Sequence, residues 1–315
     1  VLRDRRHARQ DDTVSPVKTL CLGEALVDMV CERPAASLLE ADCFVPHFGG
    51  ATANVTVVAA RAGGEVALAG GAGDDAWGEW LRERLTAEGV DLTWFALRPG
   101  APTPVAFVAI SESGEPSFLI YGDAISSAVG ALGDGLLDAV EACDALFFAS
   151  NTLVGERERE LTMAARERAL ELGRPVVYDP NVRLGRWPSR EEAARAAGAC
   201  VEGAFLLRCN HEEAELLTGE SDPDRAVEAI LAAGARHVVV THGSRGAVLR
   251  GGGLRADVPG VAARTVDTTG AGDTLMGTLI AALGAGGYDP SVLEAALPRA
   301  VEEAARATEH FGALE

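Results

Sequence analysis

His237-Val238-Val239-Val240-Thr241, Ala145-Leu146-Phe147-Phe148-Ala149 and Pro175-Val176-Val177-Tyr178 are short runs that are apolar at nearly every position. A strand with one wet face alternates apolar and polar residues. A run that is apolar on both alternating faces predicts a strand covered on both sides, as in a parallel sheet sandwiched by helices. Working outward, further strand-like runs are Thr19–Gly23, Val66–Ala69, Val105–Ile110, Ser117–Tyr121 and Phe205–Leu207. Helical periodicity falls between them at Ala53–Ala62, Trp77–Glu88, Glu156–Leu172, Arg190–Val201, Glu212–Leu217, Asp224–Ala233, Ala271–Leu283 and Val292–Thr308. This alternation predicts an α/β fold, a doubly wound and mostly parallel sheet flanked by helices. Residues 27–48 and 90–121 break the rhythm, carrying strand-like pieces with no helix between them. They are expected to supply a small β-sheet lid at the C-terminal edge of the core.

The chain has 315 residues, a net charge of -19 and a hydrophobic fraction of 48%. That length suits one large domain over residues 18–315. So acidic a chain has no general attraction for nucleic acid or for an anionic membrane, so neither is expected as a partner. Lys18 is the single lysine among 28 basic residues, which excludes a phosphate loop ending in Gly-Lys-Ser/Thr. No Gly-x-Gly-x-x-Gly follows the first strand, which disfavours a dinucleotide-binding dehydrogenase. The six cysteines, Cys21, Cys31, Cys43, Cys143, Cys200 and Cys209, show neither a Cys-x-x-Cys pair nor zinc spacing with histidines. They read as reduced and mostly buried, pointing to the cytoplasm. Residues 1–17 are polar and read as a disordered or loosely attached extension.

The string with the most chemistry is Asp267-Thr268-Thr269-Gly270-Ala271-Gly272-Asp273. Glycines allow a tight turn and close approach of a ligand. The free N–H groups of the helix that follows converge on one point, suited to a phosphoryl group. Asp273 stands beside that point, placed to take a proton from an attacking hydroxyl. The plainer alternative is a helix cap. Five further strings fall at strand ends: Gly23-Glu24-Ala25-Leu26-Val27-Asp28, Gly49-Gly50-Ala51-Thr52-Ala53-Asn54, Asp179-Pro180-Asn181-Val182-Arg183, Asn210-His211-Glu212-Glu213 and Thr241-His242-Gly243-Ser244-Arg245-Gly246. Ligands of open α/β sheets bind outside the carboxyl ends of strands. A carboxylate (Asp28), an amide (Asn54) and a forked donor (Arg183) suit hydroxyl and phosphate recognition. Each has a bland alternative: a solvated loop acid, a turn asparagine, a surface arginine or, for Glu213, a first-turn helix acid. His47, His211 and His242 lie near these strings and are uninformative alone.

Taken together and in this order, the strings resemble the ribokinase-like, or PfkB, carbohydrate kinases over about Thr19–Ala313, most closely the fructokinase and 2-keto-3-deoxygluconate kinase branch. The resemblance implies an ATP-dependent sugar kinase with Mg²⁺. Asp273 would be the catalytic base, with Gly270, Ala271 and Gly272 as the anion hole. Asp28, Gly49, Gly50, Asn54, Tyr121 and Arg183 would hold the sugar, and Arg183 would also bridge to the γ-phosphate. Asn210, Glu213, Thr241, Gly243, Gly246, Thr269, Gly270 and Gly272 would hold the nucleotide. Glu213 would act on Mg²⁺ indirectly, through water, and Asp267 is the candidate carboxylate for a monovalent cation such as K⁺. Two departures bear on specificity. Val301 and Glu309-His310 stand where relatives often contact the base, and Gly122, followed by Asp123, stands where relatives often carry an arginine after the lid tyrosine. The expected substrate is a neutral sugar, foremost fructose. A 2-keto-3-deoxygluconate kinase, a nucleoside kinase and a silent sugar-binding paralogue are the alternatives. A homodimer through the lid is expected, since open lid edges invite pairing.

Overall fold

The computed structural model describes residues 18–121, 129–133 and 135–314. The expected N-terminal extension and the departure at Gly122 and Asp123 lie outside the described residues. In chain order the strands are β1 (Thr19–Leu22), β2 (Leu26–Cys31), β3 (Val45–Gly49), β4 (Val66–Gly73), β5 (Phe95–Arg98), β6 (Val105–Ile110), β7 (Pro116–Tyr121), β8 (Ala145–Ala149), β9 (Val176–Asp179), β10 (Leu206–Asn210), β11 (His237–Thr241), β12 (Gly246–Gly251) and β13 (Leu254–Pro259). The helices are α1 (Ala51–Arg61), α2 (Ala76–Ala87), α3 (Gly135–Ala142), α4 (Glu156–Glu171), α5 (Arg190–Gly198), α6 (His211–Thr218), α7 (Pro223–Ala232), α8 (Ala271–Ala285) and α9 (Val292–Ala307).

Nine strands form one sheet in the order β13-β12-β11-β10-β9-β8-β1-β4-β5. Pairing is parallel from β5 through to β11 and antiparallel at β11–β12 and β12–β13. The doubly apolar runs explain the layers. Phe147, Val177 and Val239 point to one side, into a core with Leu275, Leu279 and Leu297 from α8 and α9. Phe148, Tyr178, Val238 and Val240 point to the other, against Leu136 of α3, Ala165 of α4, Ala193 of α5 and Ile230 of α7. Truncating a buried aromatic such as Phe147 to Ala costs about 3–5 kcal/mol.

The remaining four strands make a separate sheet, β3-β2-β6-β7, drawn from both segments that break the helical rhythm, with β2 and β3 each reaching one residue beyond residues 27–48. β5 also falls in residues 90–121, yet it pairs with β4 in the large sheet. In the small sheet Asp28 lies in register with Ala106 and His47, and Ala106 with Ile120. Asp28, Ala106 and Ile120 therefore share one face. Strand order reverses around β1, which has β8 on one side and β4 on the other. That reversal opens a crevice at the carboxyl ends of the strands, and β1 leads directly through Gly23-Glu24 into the small sheet.

Candidate active site

Two helix N-termini meet at this crevice. α8 begins at Gly270, whose φ of 77° is left-handed and whose absent Cβ would stand 2.5 Å from Ala313 Cβ. Two residues on, a Cβ at Gly272 would stand 2.5 Å from Arg208 Nη1. Glycine at both positions lets the turn run close against neighbours that a side chain would displace. Asp267 braces the turn, accepting from Thr269 N at 2.8 Å and Gly312 N at 2.9 Å. Asp273 sits in the first turn of α8, and Asn54 Nδ2 donates to its Oδ2 at 2.9 Å. Burial pushes the Asp273 carboxyl up, while the Asn54 hydrogen bond and the Arg183 and Arg208 cations pull it back.

α1 begins after Gly50, whose φ is 98°, and Asn54 projects from its first turn. The buried carboxylate of Glu24 anchors this start. It accepts from Ala51 N at 3.1 Å and from Asn151 Nδ2 at 2.9 Å. Asp28 is buried against Gly49, where a Cβ would lie 2.3 Å from its Oδ2. Burial, followed by the charges of Asp273 and Asp267, pushes Asp28 up to about 8, with Arg183 opposing. Arg183 places its guanidinium over the Phe118 ring of β7, 5.3 Å from the centroid, joining the large sheet's crevice to the small sheet. It follows Asn181, whose φ of 37° is unusual for a non-glycine residue. Asp179 Oδ1 accepts from Asn181 N at 3.1 Å and holds that turn.

On the other side of α8 lies a cavity of about 660 Å³, lined by Thr241, Gly243, Gly246, Gly272 and Val301 among others. Gly246 has a φ of 99°, and a Cβ there would stand 2.1 Å from Val258 O. Arg208 reaches this cavity from β10, with Nη1 3.1 Å from Asp179 Oδ2 and Nη2 donating to Thr241 Oγ1 at 3.0 Å. Its Nε, Asn54 Oδ1 and Thr269 Oγ1 are buried without a hydrogen-bond partner. Such atoms are costly unless a ligand or water satisfies them.

Some assigned residues are placed otherwise than the strings suggest. Asn210 and Glu213 form a reciprocal cap on α6: Asn210 Oδ1 accepts from Glu213 N at 2.8 Å, and Glu213 Oε2 from Asn210 N at 2.9 Å. Glu213 Oε1 also accepts from Val182 N at 2.8 Å. Both carboxylate oxygens of Glu213 are thus engaged as acceptors by backbone N–H groups. Tyr121 is on the face of the small sheet opposite Ile120 and Asp28, 62% exposed, with its ring 5.9 Å from Phe107. Period-two alternation directs Phe118 toward the crevice and Tyr121 away from it. Val301 lines the cavity, whereas Glu309 accepts from Arg264 N at 3.0 Å. Sequence reasoning missed Arg208, Glu24 and Asn151. Glu24 was legible as an acid immediately after β1, but Arg208 and Asn151 belong to no string.

A buried carboxylate beside a glycine-lined helix N-terminus, between a cavity and a polar crevice, fits a phosphotransferase of the ribokinase-like fold. The chain belongs to the pfkB family of carbohydrate kinases, whose model matches residues 18–315. It is 33% identical to Fructokinase-1 of Oryza sativa subsp. japonica over 93% of this chain and 89% of that one. It is 34% identical to Fructokinase-2 of Solanum lycopersicum over 82% and 79%. Among solved structures it resembles a double-mutant fructokinase from Vibrio cholerae in fructose, ADP and potassium ion bound form, with a TM-score of 0.82, 28% identity and 95% coverage of both chains. The aminoimidazole riboside kinase of Salmonella enterica, complexed with aminoimidazole riboside and an ATP analog, superposes with a TM-score of 0.79 at 26% identity, covering 94% of this chain and 95% of that one. The protein is an ATP-dependent sugar kinase.

Proposed function

We propose that the protein phosphorylates a hydroxyl of a neutral sugar, foremost fructose. The observation that carries this reading is the Asn54–Asp273 pair at the N-terminus of α8, between the Asp28 crevice and the cavity. The sugar lies against Asp28, Asn54 and the Gly49-Gly50 turn. Asn54 Oδ1 accepts from a sugar hydroxyl, and Asp273 takes the proton of the attacking one. The γ-phosphoryl group of ATP lies over the N–H groups of residues 270–272, and Arg183 and Arg208 offset the charge that grows on its oxygens. When bound, Mg²⁺ neutralises phosphate charge, with Glu213 acting through water. A monovalent cation such as K⁺ would rest near Asp267, whose buried carboxylate holds the turn. Closure of the small sheet over the sugar keeps water from the phosphoryl group.

Two points support a neutral sugar. Fructokinases recur among the relatives. The crevice gathers the acids Asp28, Asp273 and Glu24, with Arg183 and Arg208 as the cations that reach Asp273, so a carboxylate on the substrate meets the charge of Asp273 and competes with phosphate for those arginines. Val301 offers the base an apolar wall. The likeness to a riboside kinase keeps a nucleoside acceptor as the second reading. We also place the protein in the cytoplasm, which suits its six free thiols. Leu119 and Tyr121 are exposed on the outer face of the small sheet, where a second copy would dock. Among the described residues no helix is long and apolar enough to cross a membrane.

A coupled ADP-release screen over fructose, glucose, ribose, 2-keto-3-deoxygluconate and nucleosides tests the reading. Fructose should give the highest kcat/KM, and excess chelator should abolish turnover. A kcat/KM for 2-keto-3-deoxygluconate or a nucleoside tenfold above that for fructose overturns it.

A further inference from the structure

Away from the crevice, at the distal end of the small sheet, Cys31 Sγ, Cys43 Sγ and a carboxylate oxygen of Asp42 lie within 4.8 Å of one another. The register makes this grouping. Val30 pairs with Val45, so the last residue of β2 and the loop that enters β3 face each other across the hairpin. Cys31 is buried, while Asp42 and Cys43 are exposed. The site is thus open to solvent on one side and floored by a thiol on the other. Glu32, between the two halves, turns elsewhere: its Oε1 meets His47 Nε2 at 2.8 Å.

We propose that Cys31, Asp42 and Cys43 bind a thiophilic divalent cation such as Zn²⁺, with water as the fourth ligand. Thiolate sulfur and carboxylate oxygen both ligate zinc, and the ligand atoms of a tetrahedral site stand about 3.3–3.8 Å apart. The three atoms are within about 1 Å of that spacing, and two of them are on an exposed loop that can close the difference. The site already draws positive charge. The Arg33 guanidinium contacts Asp42 Oδ1, and its Nη2 lies 3.5 Å from Cys43 Sγ. Arg33 is 61% exposed, so it can release both groups to an incoming ion and turn into water. Each thiol gives up its proton to solvent on binding. The ion would tie the end of β2 to the loop before β3. Phe44, next to Cys43, stands edge-on to Phe107 at 5.0 Å, so the tie bears on the outer face of the small sheet.

Titrating the full-length, reduced protein with Cd²⁺ and reading the thiolate-to-cadmium ultraviolet band tests this, with Zn²⁺ as competitor. The expected result is saturation at one ion per chain, reversed by Zn²⁺. Cys43→Ser and Asp42→Asn, both at exposed positions, should each weaken binding by about 10-fold or more, and Arg33→Ala should tighten it. Absence of the band, or a band that survives Cys43→Ser at unchanged affinity, overturns the proposal.

Discussion

Asn54 and Asp273, 219 residues apart in sequence, are joined by a 2.9 Å hydrogen bond from the amide of one to the carboxylate of the other. The bond couples the N-termini of α1 and α8, and so the sugar side of the crevice to the phosphate side. The donor favours the ionised carboxylate of Asp273, the proposed base. Asn54→Ala removes that donor, so the carboxyl should rise further. The acidic limb of the kcat/KM profile should move to higher pH, since the ionised carboxylate loses a hydrogen bond. An unmoved limb would mean that Asn54 serves the sugar alone.

Asp28 makes stability depend on pH. Its folded carboxyl is pushed up to about 8, whereas an unfolded aspartate titrates near 3.9. Between those values the folded state holds a proton that the unfolded chain releases. The stabilisation is full below about pH 4 and is lost as pH rises to about 8. Asp28→Asn cannot ionise, so in the absence of sugar its Tm should exceed the parent's by more at about pH 8 than at about pH 5. A constant difference across that window would remove this account of Asp28.

Gly270 and Gly272 should fail in different ways. At Gly270 an added methyl meets Ala313, and φ is already positive. Gly270→Ala should therefore lower stability by about 1–3 kcal/mol. At Gly272 the methyl meets the end of the Arg208 side chain, at 2.5 Å from Nη1 and 2.6 Å from Nη2. The guanidinium must leave Asp179 or Thr241, so Gly272→Ala should raise the KM for ATP with a smaller loss of Tm. Thermal unfolding and initial rates on both variants separate the two effects.

The large sheet was legible where burial leaves a compositional mark. Ala145–Ala149 and His237–Thr241 are apolar on both faces, and the strands formed there. The β12–β13 hairpin was passed over, although Leu254, Ala256 and Val258 alternate with Arg255 and Asp257 as in a strand with one wet face, because Gly251-Gly252-Gly253 reads as a loop. α3 is only eight residues long, and Phe95–Arg98 is half-buried throughout. At the site, the glycine strings marked the backbone. Arg208 was invisible because an arginine on a strand reads as surface until the buried Asp179 that pairs with it is placed opposite. Tyr121 was named without its face, which depends on register, and register is fixed by pairing across strands and not by local sequence.

The most direct test of the account is the kcat of Asp273→Asn with ATP and the best sugar. Asparagine keeps the size of the side chain and a hydrogen-bonding oxygen but cannot take the proton. kcat should fall by about 10²–10⁴, with sugar binding and Tm close to those of the parent. A variant that keeps more than half of the parent's kcat, with the chemical step shown to limit the rate, would contradict the assignment of Asp273 as the base.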